Sequence, residues 1–196
     1  MRIFENFIKP RIQNEIETLL LGGNLPYFYS CESCVPAGYK ENESEDARLT
    51  GALLVDNNTI EAPQFMHMFV SDGAVNSASY TNVAPIINKV VDLVDDDYFV
   101  VKCKANMNLA DARFKDKYHT PHIDNGFEDQ VTAIYYVNDS DGDTFFFDDS
   151  GKITKRVTPK KGTLVMWKGK IFHAKSSPIK TASRVVININ LLPCGK

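Results

Sequence analysis

Two histidines and one aspartate of this 196-residue chain have the types and spacing of metal ligands. His122 and Asp124 lie two residues apart in the segment YHTPHID, and His173 follows about fifty residues later in KIFHAK. Residues two apart on a strand point to the same side, so the imidazole of His122 and the carboxylate of Asp124 can converge on one ion. His119 lies three residues before His122 and should point away. We therefore expect His122, Asp124 and His173 to bind the metal.

The ligand set indicates which metal to expect. Two histidines and one carboxylate on rigid strands match the facial triad of non-haem Fe(II) sites, which leaves three coordination positions open. Zinc hydrolases also use these residue types, but usually from a helical HExxH motif, which this sequence lacks. The pattern favours iron.

A fourth candidate, Arg184, places a cation in an apolar strand. In RVVININLL, alternation puts Arg184, Val186, Asn188 and Asn190 on one face and Val185, Ile187, Ile189 and Leu191 on the other. The second face is typical of packed core, so the first should line a polar cavity. A guanidinium there can bind a carboxylate through two parallel hydrogen bonds.

The elements that must position these residues are mostly short strands. From Tyr98 onward, β-rich segments follow one another, separated by turn sequences such as NDSDGD and DDSGK. The segments are YFVVKCKA, YHTPHID, QVTAIYYVN, DTFFF, KITKRVT, GTLVMWK, KIFHAK and SRVVININLL. Strands this short and evenly spaced indicate an antiparallel sandwich or barrel.

The N-terminal half supplies helices and supporting strands. NFIKPRIQNEIETLLLGG has helical spacing with Pro10 in the first turn and glycines as the stop, and TNVAPIINKVVDLVDDD predicts a second helix capped near Thr81 or Asn82. Short strands are predicted at NLPYFYS and QFMHMFV, with an exposed loop over 31–51. We expect one domain, 1–196, with residues 1–97 buttressing a β core over 98–192.

Charge and cysteine content limit the partners. A formal net charge of −3 gives no electrostatic reason to expect nucleic acid or an anionic membrane as a partner. No apolar run is long enough to span a membrane and no signal peptide is seen, so we expect a cytoplasmic protein. Cys31 and Cys34 form a CxxC pair; reduced thiols are favoured, with a zinc clip or a regulatory disulfide as alternatives.

The order of the motifs resembles the Fe(II)- and 2-oxoglutarate-dependent dioxygenases, in particular the prolyl-4-hydroxylase-like branch and its small phage and bacterial members. The resemblance covers roughly residues 98–192 and rests on HTPHID, TAIYYVN, DGDTFFF, PKKGTLVMWKGKIFHAKSSPI and SRVVININLL. It implies a mainly β (α+β) fold with a double-stranded β-helix, or jelly-roll, catalytic core. Two departures stand out. The branch has tyrosine at His119, and the first glycine of its GGxTxF turn is Asp141 here.

The resemblance also implies a site. Fe(II) would be held by His122, Asp124 and His173, and Arg184 would bind the far carboxylate of 2-oxoglutarate. Further co-substrate contacts are expected from Tyr136, Thr144, Asn106 (or Asn108) and Asn188. The implied reaction hydroxylates a substrate C–H bond with O₂ and converts 2-oxoglutarate to succinate and CO₂. Ascorbate is a candidate stimulant.

The substrate is less sharply defined. The branch implies a prolyl residue in a peptide or protein, with a free amino acid or another small molecule as the alternative. Nucleic-acid demethylases of the same chemistry typically show a second arginine six residues after the first, where this chain has Asn190. Two other classes are a catalytically silent jelly-roll binding module and a cupin-like zinc hydrolase. A phage origin would place the protein in the host cytoplasm.

Overall fold

Strands form most of the ordered elements in the computed structural model, which describes residues 1–31, 58–94, 97–124 and 127–194. Two α-helices occur in these ranges, α1 (Pro10–Leu21) and α2 (Tyr80–Val91), with a 3₁₀ turn at Ala112–Phe114. The strands are β1 (Arg2–Phe4), β2 (Phe28–Ser30), β3 (Gln64–Ser71), β4 (Ala74–Val75), β5 (Tyr98–Leu109), β6 (Val131–Tyr136), β7 (Thr144–Phe147), β8 (Ile153–Val157), β9 (Leu164–Lys168), β10 (His173–Lys175) and β11 (Ser183–Pro193).

The strands form two antiparallel sheets. The larger sheet has the order β1-β9-β6-β11-β5-β3-β2, with β4 paired to β3, and the smaller has the order β10-β7-β8. Apolar side chains of both sheets, including Ile134, Phe146, Trp167 and Val186, pack together between them. This arrangement confirms the predicted jelly-roll fold.

The helices cover the opposite face of the larger sheet. Ile16 and Leu20 of α1 and Ile86 of α2 pack against Ala105 of β5 and Ile187 of β11 in the main apolar core. The helices therefore buttress the sheet, as expected. The strands β1 to β4 also join this sheet, so the first half of the chain contributes directly to the β structure.

The boundaries of α1 agree with the prediction, since it begins at Pro10 and ends before Gly22. The predicted cap of α2 near Thr81 or Asn82 lies too late in the chain, because the capping residue is Ser79 and the helix begins at Tyr80. A preceding turn sets this earlier start: the backbone N–H of Ser79 donates to the hydroxyl of Ser77, and the N–H of Tyr80 donates to the carbonyl of Ser77.

The segment that carries His122 and Asp124 is not the regular strand that was predicted. Between Tyr118 and Asp124 the backbone makes two isolated bridges, one from Tyr118 to Thr59 and one from His122 to His173. Pro121 has no backbone N–H, so this segment cannot form an uninterrupted ladder. The side chains of His122 and Asp124 nevertheless converge, as described below.

Several expectations fall at the edge of the described residues. The predicted loop over 31–51 lies outside them except for its first residue, and so does Cys34. Cys31 is exposed and forms no disulfide with another described cysteine, and the CxxC interpretations stay predictions. Over the described ranges, no helix combines the length and apolar character that crossing a bilayer requires.

Candidate metal centre

The three predicted metal ligands lie together. One nitrogen or oxygen from each of His122, Asp124 and His173 falls within 4.8 Å of the others. Oδ1 of Asp124 is 3.5 Å from Nε2 of His122 and 3.8 Å from Nε2 of His173. A first-row metal binds such atoms at about 2.0–2.2 Å, so atoms this close can share one ion after small side-chain rotations.

Each histidine is oriented by a backbone carbonyl two residues earlier. Nδ1 of His122 is 3.1 Å from the carbonyl oxygen of Thr120, and Nδ1 of His173 is 3.1 Å from that of Ile171. A carbonyl oxygen only accepts, so Nδ1 carries the proton and donates. Nε2 of both rings is therefore the unprotonated atom, and it faces Asp124.

The charge states also suit metal binding. Burial lowers the pKa of His173 to about 4, so the ring is neutral near pH 7. Burial alone would raise the pKa of Asp124, but its contacts with His122 and His173 and the hydrogen bond from the Asn190 amide hold that pKa well below its ordinary value. The site thus presents the neutral imidazole of His173 and an ionised carboxylate on Asp124.

Asp124 is held from behind by polar side chains of the larger sheet. Its Oδ2 accepts a hydrogen bond from Nδ2 of Asn190 at 2.8 Å, with Nδ2 of Asn188 at 3.4 Å. The hydroxyl of Thr132 lies 3.5 Å from the same oxygen. The sequence placed Asn190 on the cavity face but gave it no role. It gave no signal for Thr132, which comes from a different strand.

Arg184 is buried in the same cavity as the three metal-ligand candidates. Its Nε donates to the carbonyl of Gly142 at 2.8 Å and its Nη2 to the hydroxyl of Thr144 at 2.9 Å. No described carboxylate forms a salt bridge with it. Burying a cation costs several kcal/mol, and the carboxylate of Asp143 offsets this cost only from beyond salt-bridge distance. The position therefore fits an anionic group such as the carboxylate of a 2-keto acid.

The glycine that remains in the DGDT turn makes this position possible. A Cβ on Gly142 would lie 2.5 Å from the carbonyl oxygen of Ser176 and 3.0 Å from Cδ of Arg184. Asp141, which replaces the first glycine of the motif, accepts hydrogen bonds from the backbone N–H groups of Lys180 and Thr181. It thereby caps the turn that leads into β11.

Tyr136 contacts Thr144, and Thr144 in turn contacts Arg184. The hydroxyl of Tyr136 donates to Oγ1 of Thr144 at 2.8 Å, and Arg184 donates to the same oxygen. Two donors engage Oγ1, so the hydroxyl proton of Thr144 is left to donate into the cavity, which Thr144 lines. Tyr136 lies behind Thr144 in the apolar layer. Its predicted direct contact with 2-oxoglutarate stays a prediction.

The strand β5 adds a row of polar side chains beside β11. In the sheet register, Lys104 lies opposite Asn188, and Asn108 lies opposite Arg184. Within the described residues, Oδ1 of Asn106 and both polar atoms of Asn108 are buried without a hydrogen-bond partner. An unsatisfied buried polar group costs about 1–3 kcal/mol. Lys104 and Asn106 line the cavity and Asn108 is not among its lining residues, so Lys104 and Asn106 are the members of the row that could contact a ligand.

His119 lies apart from the metal-ligand candidates. Its buried ring contacts Phe114 with 4.4 Å between ring centroids, Nε2 is 3.1 Å from the hydroxyl of Ser177, and Nδ1 is 3.4 Å from Oε2 of Glu61. The group of potential ligands found in the described part of the chain does not contain it. His119 thus packs the start of the ligand segment, residues 118–124, against Phe114, Ser177 and Glu61.

Comparisons with known proteins agree with this geometry. Residues 109–192 match the family model described as the 2OG-Fe(II) oxygenase superfamily. No curated protein matches the chain by sequence. A 2OG-Fe(II) oxygenase family oxidoreductase from Burkholderia pseudomallei is similar in structure, with a TM-score of 0.62 and 11% identity over 96% of this chain and 83% of that one.

Two further solved structures share the fold. One is a prolyl hydroxylase from Trichoplax adhaerens in complex with a peptide fragment of hypoxia inducible factor, with a TM-score of 0.58 and 15% identity over 98% of this chain and 83% of that one. The other is the non-haem alpha-ketoglutarate-dependent epimerase SnoN of nogalamycin biosynthesis, with a TM-score of 0.59 and 12% identity over 97% and 76%. At these identities the likeness shows the fold.

Proposed function

We propose that this chain, whose residues 109–192 match the family model of the 2OG-Fe(II) oxygenase superfamily, hydroxylates a prolyl residue of a peptide or protein. The proposal rests mainly on one observation: the three metal-ligand candidates and a buried arginine line the same cavity. His122, Asp124 and His173 converge there, beside a buried arginine that forms no salt bridge among the described residues.

The protein holds the three metal-ligand candidates in an orientation that suits metal binding. Fe(II) held by the two histidines and Asp124 would supply the activation of O₂ for C–H hydroxylation, coupled to conversion of 2-oxoglutarate to succinate and CO₂. The carbonyls of Thr120 and Ile171 keep both Nε2 atoms aimed at the metal position. The low pKa of Asp124 keeps its carboxylate ionised.

The other side of the cavity binds the co-substrate. Arg184 would donate to the far carboxylate of 2-oxoglutarate, and Thr144 would add its hydroxyl proton. A charge pair in this buried position is little screened by solvent, so it is stronger than one at the surface. The apolar side chains of Ile134 and Val186 line the same cavity and keep water from the carbon chain.

Two observations support a prolyl substrate. The motifs occur in the order of the prolyl-4-hydroxylase-like branch, and the fold is similar to that of the peptide-bound Trichoplax enzyme. A second candidate is a free amino acid or another small polar molecule. It is favoured by the polar cavity wall of Gln64, Lys104 and Lys175, in which the Lys175 ammonium donates to the Gln64 side chain at 2.6 Å.

Mass spectrometry can test the proposal. The protein is incubated with Fe(II), 2-oxoglutarate and O₂ together with a library of proline-containing peptides or, separately, a mixture of free amino acids. We expect a gain of one oxygen on proline in some peptides, with succinate formed in equal amount. A gain only among the free amino acids would reject the peptide substrate and keep the reaction. A binding module would produce neither product.

A further inference from the structure

The two carboxylate oxygens of Asp124 have different surroundings. Oδ1 faces the imidazoles, at 3.5 Å from His122 and 3.8 Å from His173. Oδ2 points into the larger sheet, where the amide of Asn190 donates to it at 2.8 Å. Oδ1 can therefore bind a metal, whereas Oδ2 already accepts a hydrogen bond.

The amide of Asn190 is itself fixed. Asn190 lies opposite Thr132 in the register of β11 and β6, and its Nδ2 also donates to the Thr132 hydroxyl at 3.2 Å. Its side chain is fully buried. The reversed amide orientation would place Oδ1 of Asn190 against the carboxylate, with two acceptors facing each other. One amide hydrogen is thus directed to Asp124 and the other to Thr132.

We propose that Asn190, braced by Thr132, is a positioning residue that keeps Asp124 a one-oxygen metal ligand. The inference rests on the proposed function. A facial triad leaves three positions open, and the proposed reaction would use all three if, as the resemblance implies, the 2-keto acid chelates at two and O₂ takes the third. A carboxylate that turned both oxygens to the metal would occupy one of these positions. The hydrogen bond to Oδ2 opposes that turn.

Asn190→Leu tests this role because it keeps a similar volume and removes the donor. We expect turnover of 2-oxoglutarate to fall about ten- to a hundredfold, the usual cost of losing a partner that orients a metal ligand. Metal affinity should be unchanged or higher, since a released oxygen adds a metal contact. The visible charge-transfer absorption of the anaerobic complex with Fe(II) and 2-oxoglutarate should shift, because the ligand set around the metal changes.

If Asn190→Leu does not fold, two variants of Thr132 test the same role. Thr132→Val removes the hydroxyl that braces Asn190 and that also lies 3.5 Å from Oδ2 of Asp124, and Thr132→Ser keeps it. We expect the valine variant to shift the absorption in the same direction as Asn190→Leu, with a smaller loss of turnover. The serine variant should behave as wild type. Equal behaviour of the two Thr132 variants would reject the bracing role.

Metal affinity can be read without turnover. Trp167 is the single tryptophan of the chain, and its ring centroid lies 4.8 Å from that of His173. Quenching of its fluorescence by Fe(II) under anaerobic conditions reports metal binding. In Asn190→Leu, metal affinity and turnover could fall together while the absorption at saturating metal stays unchanged. That result would overturn the role of Asn190 but not the proposed function. A wild-type protein with no charge-transfer absorption would overturn the proposed function as well.

Discussion

His122 and His173 exchange two backbone hydrogen bonds, each 3.0 Å long. This bridge joins the ligand segment to β10 and places both imidazoles on one side, with ring centroids 4.6 Å apart. The positions of the two Cα atoms therefore depend on the backbone and not on the ligand side chains.

The first prediction follows from that bridge. Replacing His122, Asp124 or His173 by alanine should abolish 2-oxoglutarate turnover and metal quenching of Trp167 fluorescence, while circular dichroism shows a folded protein. Asp149→Ala, at an exposed aspartate, is the matched control and should retain both signals. Retained turnover in Asp124→Ala, with loss in His119→Ala, would mean that the ligands are wrongly assigned.

The second prediction concerns Arg184. Arg184→Lys keeps the charge but loses the planar fork, so the KM for 2-oxoglutarate should rise, and it should rise further in Arg184→Ala. A lost charge-assisted hydrogen bond is worth about 1.5–3 kcal/mol, or roughly ten- to a hundredfold. Anaerobic binding of pyruvate, which lacks the far carboxylate, serves as the control and should change little. An unchanged KM in the alanine variant would remove Arg184 from the co-substrate site.

The convergence of His122, Asp124 and His173 and the position of Arg184 in the same cavity could be predicted from the sequence, because each prediction depends on local alternation or on residue type. The pairing of Asn190 with Thr132 behind Asp124 could not, since it depends on the register between β6 and β11, which local pattern does not determine. The same limit applies to the segment around Pro121. Alternation placed His122 and Asp124 on one side, but their convergence comes from the bridge to His173.

The third prediction concerns His119 as a packing residue. His119→Tyr restores the residue of the prolyl-hydroxylase-like branch and should retain metal binding and most turnover. His119→Ala leaves a cavity beside Phe114 and removes the contacts to Ser177 and Glu61, so the free energy of unfolding should fall by about 1–3 kcal/mol. Chemical denaturation measures this loss. A metal bond to a His119 nitrogen in a metal-loaded crystal structure would contradict the assignment.

The fourth prediction is a pH dependence of stability. Burial lowers the pKa of His119 from 6.5 to about 4. Between these values the unfolded chain binds a proton that the folded protein does not, so the metal-free protein should lose stability as pH falls through that window. His119→Phe removes one such group, and its stability should fall less steeply over the same window in urea titrations. Parallel slopes for the two proteins would show that His119 titrates normally in the folded state.

The fifth prediction concerns Gly142. A methyl group there would press on the carbonyl of Ser176 and on the side chain of Arg184. Gly142→Ala should therefore lower the melting temperature and weaken 2-oxoglutarate binding, both measured on the metal-loaded protein. Gly73→Ala removes a glycine near the surface and is the comparison for a general cost of glycine replacement. It should lower stability without changing 2-oxoglutarate affinity.

The most direct test of the central claim is succinate formation from 2-oxoglutarate by the purified protein, with and without Fe(II) and with and without O₂. The account predicts succinate only when both are present, and none from Asp124→Ala under the same conditions. Activity that continues without O₂, or that is indifferent to 2-oxoglutarate, would contradict it and indicate a hydrolase. A complete absence of succinate with every peptide and amino acid tested would indicate a binding module.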